Sequence, residues 1–311
     1  MPAEGTAPAG GRCVVCGGEV RIRRYLVAGE LVYARCGTCG LIVQDPLPGL
    51  IELGEIYRAY FHRRTSLRGR SYGYADYDRE RSPQHFRTRY LPWLRRHAAP
   101  DGGRFLDFGC GTGNLVQVLR AEGYDAHGYE FSQEAIAELR ARGIPFFTSA
   151  ELQTTSTRFR YLSMLDVIEH LHDPARDLRR IGALMEEGGI LFVETVNADD
   201  LFARYIYKER WQGITPVHLY LFGESTVRRL LGEHGFEIID VHTYKMSGGL
   251  LARVSRKTAS YALAGAWPLI ERRGKLLGYS AARLRRFAES ERRSPIQLSL
   301  GDGLRVVARK R

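Results

Sequence analysis

A chain of 311 residues with 44% apolar content can bury one sizeable catalytic core with appendages and need not be two large domains. No run approaches the roughly 18 to 20 unbroken apolar residues of a membrane span; the best candidate, Tyr261 to Ile270, is short and broken by Pro268. The net charge of +11 is confined to one end: from residue 251 onward 15 Lys/Arg stand against 4 Asp/Glu, leaving 31 basic and 31 acidic residues before it, so the basic charge belongs to the C-terminal segment alone.

In chain order, residues 1–11 are rich in Pro, Ala and Gly and read as a disordered tail. They lack the basic start and apolar stretch of a secretory signal, so a cytoplasmic location is the expectation. Residues 12–45 carry two CxxC pairs, Cys13/Cys16 and Cys36/Cys39, each followed by a glycine, Gly17 and Gly40. The spacing is that of a four-thiolate zinc site, and Val20 to Leu26 and Glu30 to Arg35 read as two strands of a ribbon. A pair of disulfides is the alternative, one that a reducing compartment disfavours. Four protein thiolates close the metal to substrate, so the zinc would be structural. Residues 46–100 form a connector with aromatics at Tyr57, Tyr60, Phe61, Tyr72, Tyr74 and Tyr77 in an arginine-rich setting.

The most informative passage opens the stretch 101–249. Arg104 to Phe108 is an apolar strand that runs into a turn with glycines at 109, 111 and 113 and then into the helical pattern Leu115 to Ala121. That is the first βα turn of a doubly wound sheet, with Asp107 at the strand's C-terminal end. Cys110 lies inside the turn and reads as a small buried residue. A dinucleotide fold would place the third glycine one position later, where Asn114 stands. S-adenosylmethionine has no pyrophosphate to cradle, and its ammonium and sulfonium favour carboxylates, which suits this variant of the turn. The next strand, Asp125 to Tyr129, ends at Glu130, which can accept hydrogen bonds from both ribose hydroxyls, while Phe131 offers an apolar face to adenine.

These residues resemble the class I methyltransferases. Leu106-Asp-Phe-Gly-Cys-Gly-Thr-Gly113 is similar to their first motif and Gly128-Tyr-Glu-Phe131 to their acidic ribose-binding loop. Leu165 to Pro174 is similar to the end of the fourth strand, which adds Asp166 to the cofactor side, and Glu187 to Val193 is similar to the entry of the fifth. His218 to Phe222, a helix and Gly235-Phe236 are similar to the region after the catalytic strands. The resemblance covers about residues 100 to 245. It implies an α/β, Rossmann-like, seven-stranded doubly wound sheet with an antiparallel last strand, beside the zinc ribbon. Strands are expected near 105, 125, 144, 160, 190, 236 and 304, with helices near 114, 132, 174 and 224. Leu304 to Ala308 would insert antiparallel beside the fifth strand, making 301–311 the closing strand and 250–300 an insertion. Residues 46–100 would then be a helical lid over the active site, or an ordinary connector whose aromatics pack on the core. The chain departs from the family at Phe159-Arg160, where an aspartate is usual.

Methyl transfer is an in-line displacement in which positioning does much of the work, and a hydroxyl acceptor gains from a base. His218 and His170 are the candidates, His172 lies close by, and a hydrogen-bonded structural role for His218 is the equal alternative. Asp166, Glu169 and His170 resemble the metal-binding segment of ubiquinone-pathway O-methyltransferases. Packing of Glu169 and His170 against the cofactor loop is favoured over a magnesium ion there. In 250–295, apolar residues at helical period and arginine clusters at 272–273, 283–286 and 292–293 suit a phosphorylated or lipid-linked acceptor, a peripheral membrane contact, a nucleic acid or a solvated face. The expected function is methylation, chiefly on oxygen, of a small molecule, glycan or natural-product intermediate. An RNA base methyltransferase that grips nucleic acid with the zinc module and basic segment, and a non-catalytic cofactor-binding scaffold, are the alternatives.

Overall fold

The structure, a computed structural model, describes residues 12–18, 23–28, 31–61, 65–67, 70–72, 81–200, 211, 213–244 and 301–311. The tail 1–11 and the basic segment 250–300 lie outside the described residues. Among the described residues no helix is long and apolar enough to cross a membrane.

The N-terminal region is an antiparallel ribbon of β1 (Arg23–Ala28), β2 (Leu31–Arg35) and β3 (Ile42–Gln44). Its two cysteine turns repeat one backbone pattern. The Cys13 N–H donates to Gly18 O at 2.8 Å and Gly17 N–H to Cys13 O at 2.8 Å; the Cys36 N–H donates to Leu41 O at 2.8 Å and Gly40 N–H to Cys36 O at 3.0 Å. The connector holds α1 (Leu50–Phe61), a hairpin of β4 (Thr65–Leu67) and β5 (Arg70–Tyr72), α2 (Pro83–Arg89) and the short α3 (Leu91–Leu94). Ser82 starts α2: its hydroxyl accepts the His85 N–H at 3.4 Å, and Pro83 occupies a first-turn position that needs no donor.

The core alternates β6 (Arg104–Phe108), α4 (Asn114–Ala121), β7 (Asp125–Tyr129), α5 (Gln133–Ala141), β8 (Phe146–Phe147), α6 (Ser149–Thr154), β9 (Phe159–Leu165), a 3-10 turn (Ile168–His170), α7 (Pro174–Leu184) and β10 (Met185–Val196). It ends with β11 (Tyr220–Leu221), α8 (Glu224–Glu233), β12 (Phe236–Tyr244) and β13 (Gly303–Lys310). Two of the helix starts show their local cause plainly. Asp173 accepts the Arg176 N–H at 2.9 Å ahead of Pro174, and Thr148 with Glu151 forms a reciprocal capping box before α6.

Seven strands form one sheet in the order β12-β13-β10-β9-β6-β7-β8. β9, β6, β7 and β8 run parallel to β10, whereas β13 pairs antiparallel with β10 through Val193↔Val306 and with β12 through Val241↔Val306. The antiparallel last strand expected near 304 is therefore present, wedged beside the fifth core strand. Apolar side chains fill both faces. Leu106, Leu162, Leu191 and Phe236 belong to one layer, and Phe105, Leu119, Trp93 and Phe192 to the other. Burial of such side chains on two faces, at about 1.5 to 3 kcal/mol each, selects this layered α/β arrangement.

Strand β11 does not belong to that sheet. It pairs antiparallel with β3, Tyr220 opposite Val43 and Leu221 opposite Ile42, and completes a second sheet, β1-β2-β3-β11. Tyr33 and Ile42 of the ribbon are buried with Val196, Trp211, Ile214 and Leu221 of the core, so ribbon and core share apolar packing.

Candidate active site

The glycine turn follows β6 directly. Gly109, Gly111 and Gly113 have φ values of +78°, +56° and +81°, a region that side-chain-bearing residues avoid. Space is also short: a Cβ at Gly109 would lie 2.7 Å from Val167, and one at Gly113 2.7 Å from Leu139 and 2.8 Å from Ile144. Arg142 of α5 fastens the turn by donating to Thr112 O at 2.7 Å and to Asn114 Oδ1 at 2.8 Å. Cys110 is a packing residue, its sulfur set where a side chain on Gly128 of β7 would have to go.

Two carboxylates flank this turn. Asp107 is buried and accepts the Ser163 hydroxyl at 2.6 Å; burial raises its pKa to about 7 against the pull of that hydrogen bond and of Arg81. Glu130 is also buried. Its Oε2 accepts the Gly111 N–H at 2.9 Å, and its Oε1 accepts the N–H groups of Phe131 at 2.8 Å and Ser132 at 2.9 Å. Burial raises its pKa while these three donors oppose the shift. Glu130 thus shapes the turn and retains lone-pair capacity, since a carboxylate offers about four acceptor sites. Phe131 is 55% exposed beside it, an apolar ring left open next to a polar turn. A positive-φ cradle, a buried acid at the end of the next strand and an open aromatic face fit the ribose and adenine of S-adenosylmethionine.

Beyond β9 the chain turns at Asp166, the one non-glycine residue with positive φ (+53°) among the described residues. Arg81, from the segment before α2, pairs with its carboxylate and reaches Glu194 Oε1 at 3.0 Å. Asp166 therefore faces Arg81, and the structure groups Glu169 and His170 with His218 instead. One ligand-type atom from each of these three lies within 4.8 Å of the others, and the two imidazole rings meet edge to face at 4.7 Å. His170 Nδ1 lies 2.8 Å from Val217 O and His218 Nδ1 2.8 Å from Gly213 O. A carbonyl can only accept, so both Nδ1 atoms carry the proton and both Nε2 atoms present a bare lone pair. Burial lowers His170 to about 3, with His218 adding to the effect, and lowers His218 to about 4, so both rings are neutral at pH 7. Glu169 is 0% exposed, and the Thr195 hydroxyl is the side-chain donor that faces its carboxylate. Burial, reinforced by Asp166, pushes its pKa well above the ordinary value, so it favours the protonated, donor form.

One carboxylate and two imidazoles suit magnesium poorly, because that ion prefers oxygen ligands and keeps several waters. The cluster lies beside the cofactor turn. Leu219 N–H donates to Glu169 O at 2.9 Å, Val167 abuts Gly109, and Tyr57 of α1 stands 5.8 Å from Phe131 and 6.0 Å from His170. Tyr57 thus stands next to both halves of the site. The side chains of Tyr60, Phe61, Tyr72, Tyr74 and Tyr77 lie outside the described residues.

The four ribbon thiols form a separate centre. Cys13 Sγ lies 3.5 Å from Cys39 Sγ and Cys16 Sγ 3.7 Å from Cys36 Sγ, and one sulfur from each of the four lies within 4.8 Å of the rest. Sulfurs around a tetrahedral zinc, each about 2.3 Å from the ion, stand about 3.8 Å apart, whereas disulfide sulfurs stand about 2.05 Å apart. All four thiols are free, and their spacing fits the metal and not paired disulfides.

Several functional neighbours escaped the sequence reading. Arg81 and Tyr33 gave no local signal. Glu194 and Arg305 did give one, since a charge inside each of two apolar strands demands a partner. Arg160, at the position where an aspartate was expected, pairs on the surface with Asp101 at 2.9 Å and Glu186 at 3.3 Å.

Residues 75–241 match a family model described as a methyltransferase domain. The ubiquinone biosynthesis O-methyltransferase of Aeromonas salmonicida is 27% identical over 159 residues, 43% of this chain and 67% of that protein. The enzyme of the same name from Paraburkholderia phymatum is 30% identical over 116 residues, 34% of this chain and 50% of that protein. The chain thus spans between half and two thirds of the length of these curated relatives. A solved SAM-dependent methyltransferase from Archaeoglobus fulgidus aligns with 76% of this chain and 100% of its own, at 16% identity and a TM-score of 0.49.

Proposed function

Because the chain belongs to the methyltransferase family, whose methyl donor is S-adenosylmethionine, we propose that it methylates a hydroxyl oxygen of a small-molecule acceptor. The observation that carries the choice of oxygen is the pair of neutral imidazoles beside the cofactor turn, each with its Nδ1–H tied to a carbonyl and its Nε2 lone pair free to accept a hydroxyl hydrogen. The relatives named for O-methylation support the same reading.

S-Adenosylmethionine supplies a methyl group activated by its sulfonium. The chain's residues do the rest. Glu130 and Phe131 hold the nucleoside end, and Asp107 and Asp166 set negative charge on the cofactor side of the cleft. Gly109, Cys110, Gly111 and Gly113 give the close-fitting turn. His218 takes the acceptor's proton, with His170 as its neighbour in the same cluster. Glu169, in its protonated form, can donate a hydrogen bond to an acceptor oxygen or to a ring nitrogen. Tyr57 closes this space against water, which strengthens each electrostatic contact inside it.

The acceptor side brings together two imidazoles, a buried acid and a tyrosine, all chemistry suited to a hydroxyl-bearing ring. The basic residues 250–295 would suit a phosphorylated or lipid-linked acceptor. The test is methyl incorporation from labelled cofactor across phenols, catechols, sugar nucleotides and RNA. Label is expected as a methyl ether on a small hydroxyl compound. Label confined to RNA bases, or absent from every acceptor, would overturn the reading.

A further inference from the structure

We propose that Tyr33, a residue of the cysteine ribbon, is a positioning residue for His218, so that the ribbon sets the geometry of the acceptor side of the active site. The proposal rests on the reading of His218 as the proton acceptor. Tyr33 lies on β2, three residues before Cys36, and is 0% exposed. Its hydroxyl donates towards two carbonyls of a single core loop, His218 O at 2.9 Å and Thr215 O at 3.1 Å. A phenol has one proton to give, so the two carbonyls share it and together fix where the loop sits.

The ribbon grips the residues that follow as well. Gln44 N–H donates to Leu219 O at 2.8 Å, and β3 pairs with Tyr220 and Leu221. Positions 218, 219, 220 and 221 are therefore each tied to β2 or β3, and the turn that joins those two strands is the one that carries Cys36 and Cys39. The core holds the same loop through Leu219 N–H on Glu169 O and His170 Nδ1 on Val217 O, while His218 Nδ1 on Gly213 O closes the loop on itself. His218 is thus clamped between a thiol-closed hairpin and the turn that bears Glu169 and His170. The cofactor turn has its own supports in Tyr129 O, Glu130 and Arg142. Loss of the Tyr33 hydroxyl removes the donor to His218 O, while Thr215 O keeps the His218 N–H at 3.2 Å, and the loop must move or admit water to satisfy the freed carbonyl.

The test uses Tyr33→Phe, which keeps the ring and removes the hydroxyl. In histidine-labelled protein, the His218 ring is followed by NMR from pH 8 to 5. Amide exchange is compared between 213–221 and 104–121, and S-adenosylhomocysteine binding is measured by calorimetry. In the wild type the ring stays neutral over that range. In Tyr33→Phe its titration should move up towards the ordinary histidine value, with exchange in 213–221 accelerated about tenfold and exchange in 104–121 and ligand affinity unchanged. An unmoved His218 signal, or acceleration equal in both segments, would overturn the link. Cys36→Ser, with its metal content measured, should reproduce the His218 shift; a metal-depleted variant with an unmoved ring would overturn the part assigned to the ribbon. The underlying reading fails by a different result, undiminished turnover in His218→Gln.

Discussion

Glu130 and His218 were both legible as chemistry, for different reasons. The acid ends a short strand 17 residues after Gly113, so the sequence alone places it against the glycine turn, and the structure brings its carboxylate to the Gly111 amide. His218 was visible only as a histidine near strand ends. Its partners His170 and Glu169 lie nearly 50 positions earlier and meet it through a fold that local pattern does not encode. The two half-buried imidazoles have a consequence for stability. In the folded chain they stay neutral down to about pH 4 and about pH 3, while the unfolded chain binds protons below the ordinary 6.5. The unfolded state therefore holds more protons between 6.5 and those values, so stability present above 6.5 is lost as the pH falls. Glu169, raised by burial, titrates with the opposite sign, so the comparison of wild type with His170→Gln isolates the histidine. Urea titrations at pH 7 and pH 5 should show the wild type losing about 1 to 2 kcal/mol more than the variant on acidification. Equal losses would mean that His170 is not held neutral by the fold.

Among the elements, β10 and β13 show what a buried charge requires. Glu194 is 0% exposed in the middle of β10, where burial opposes its charge, yet Arg305 at 2.5 Å, Arg81 at 3.0 Å and the Tyr90 hydroxyl together hold its carboxyl below the ordinary range. The Arg305 guanidinium also lies over the rings of Tyr90, Trp93 and Tyr244 at 4.5, 4.8 and 4.6 Å. This network fastens β13, the connector and the Asp166 turn to one another behind the site. Arg305→Leu should lower unfolding stability by about 3 to 5 kcal/mol, because it removes one of the two guanidinium groups that compensate the buried Glu194. A loss below about 1 kcal/mol in denaturant titration would show that Arg81 alone suffices. Most elements were readable from apolar runs punctuated by glycine, proline and caps. β11 was not: two residues, Tyr220 and Leu221, carry no periodicity, and only pairing with β3 makes them a strand. The hairpin of β4 and β5 was missed for the same reason of length.

For the molecule as a whole, two centres with different tasks share one body. The thiol cluster fits a closed tetrahedral ion with no position for substrate, while the residues at the C-terminal ends of β6, β7 and β9 leave the Phe131 ring exposed. Their separation in the sequence suggested two modules in series. The second sheet, with three strands from the ribbon and one from the core, joins them directly at the loop that carries His218. The decisive measurement is the rate of methyl transfer from S-adenosylmethionine to a hydroxyl acceptor in wild type and in His218→Gln. If His218 takes the acceptor's proton, kcat falls by about 10² to 10⁴ with the KM for S-adenosylmethionine unchanged. Turnover that persists in the variant, or a loss expressed only through that KM, would contradict that role.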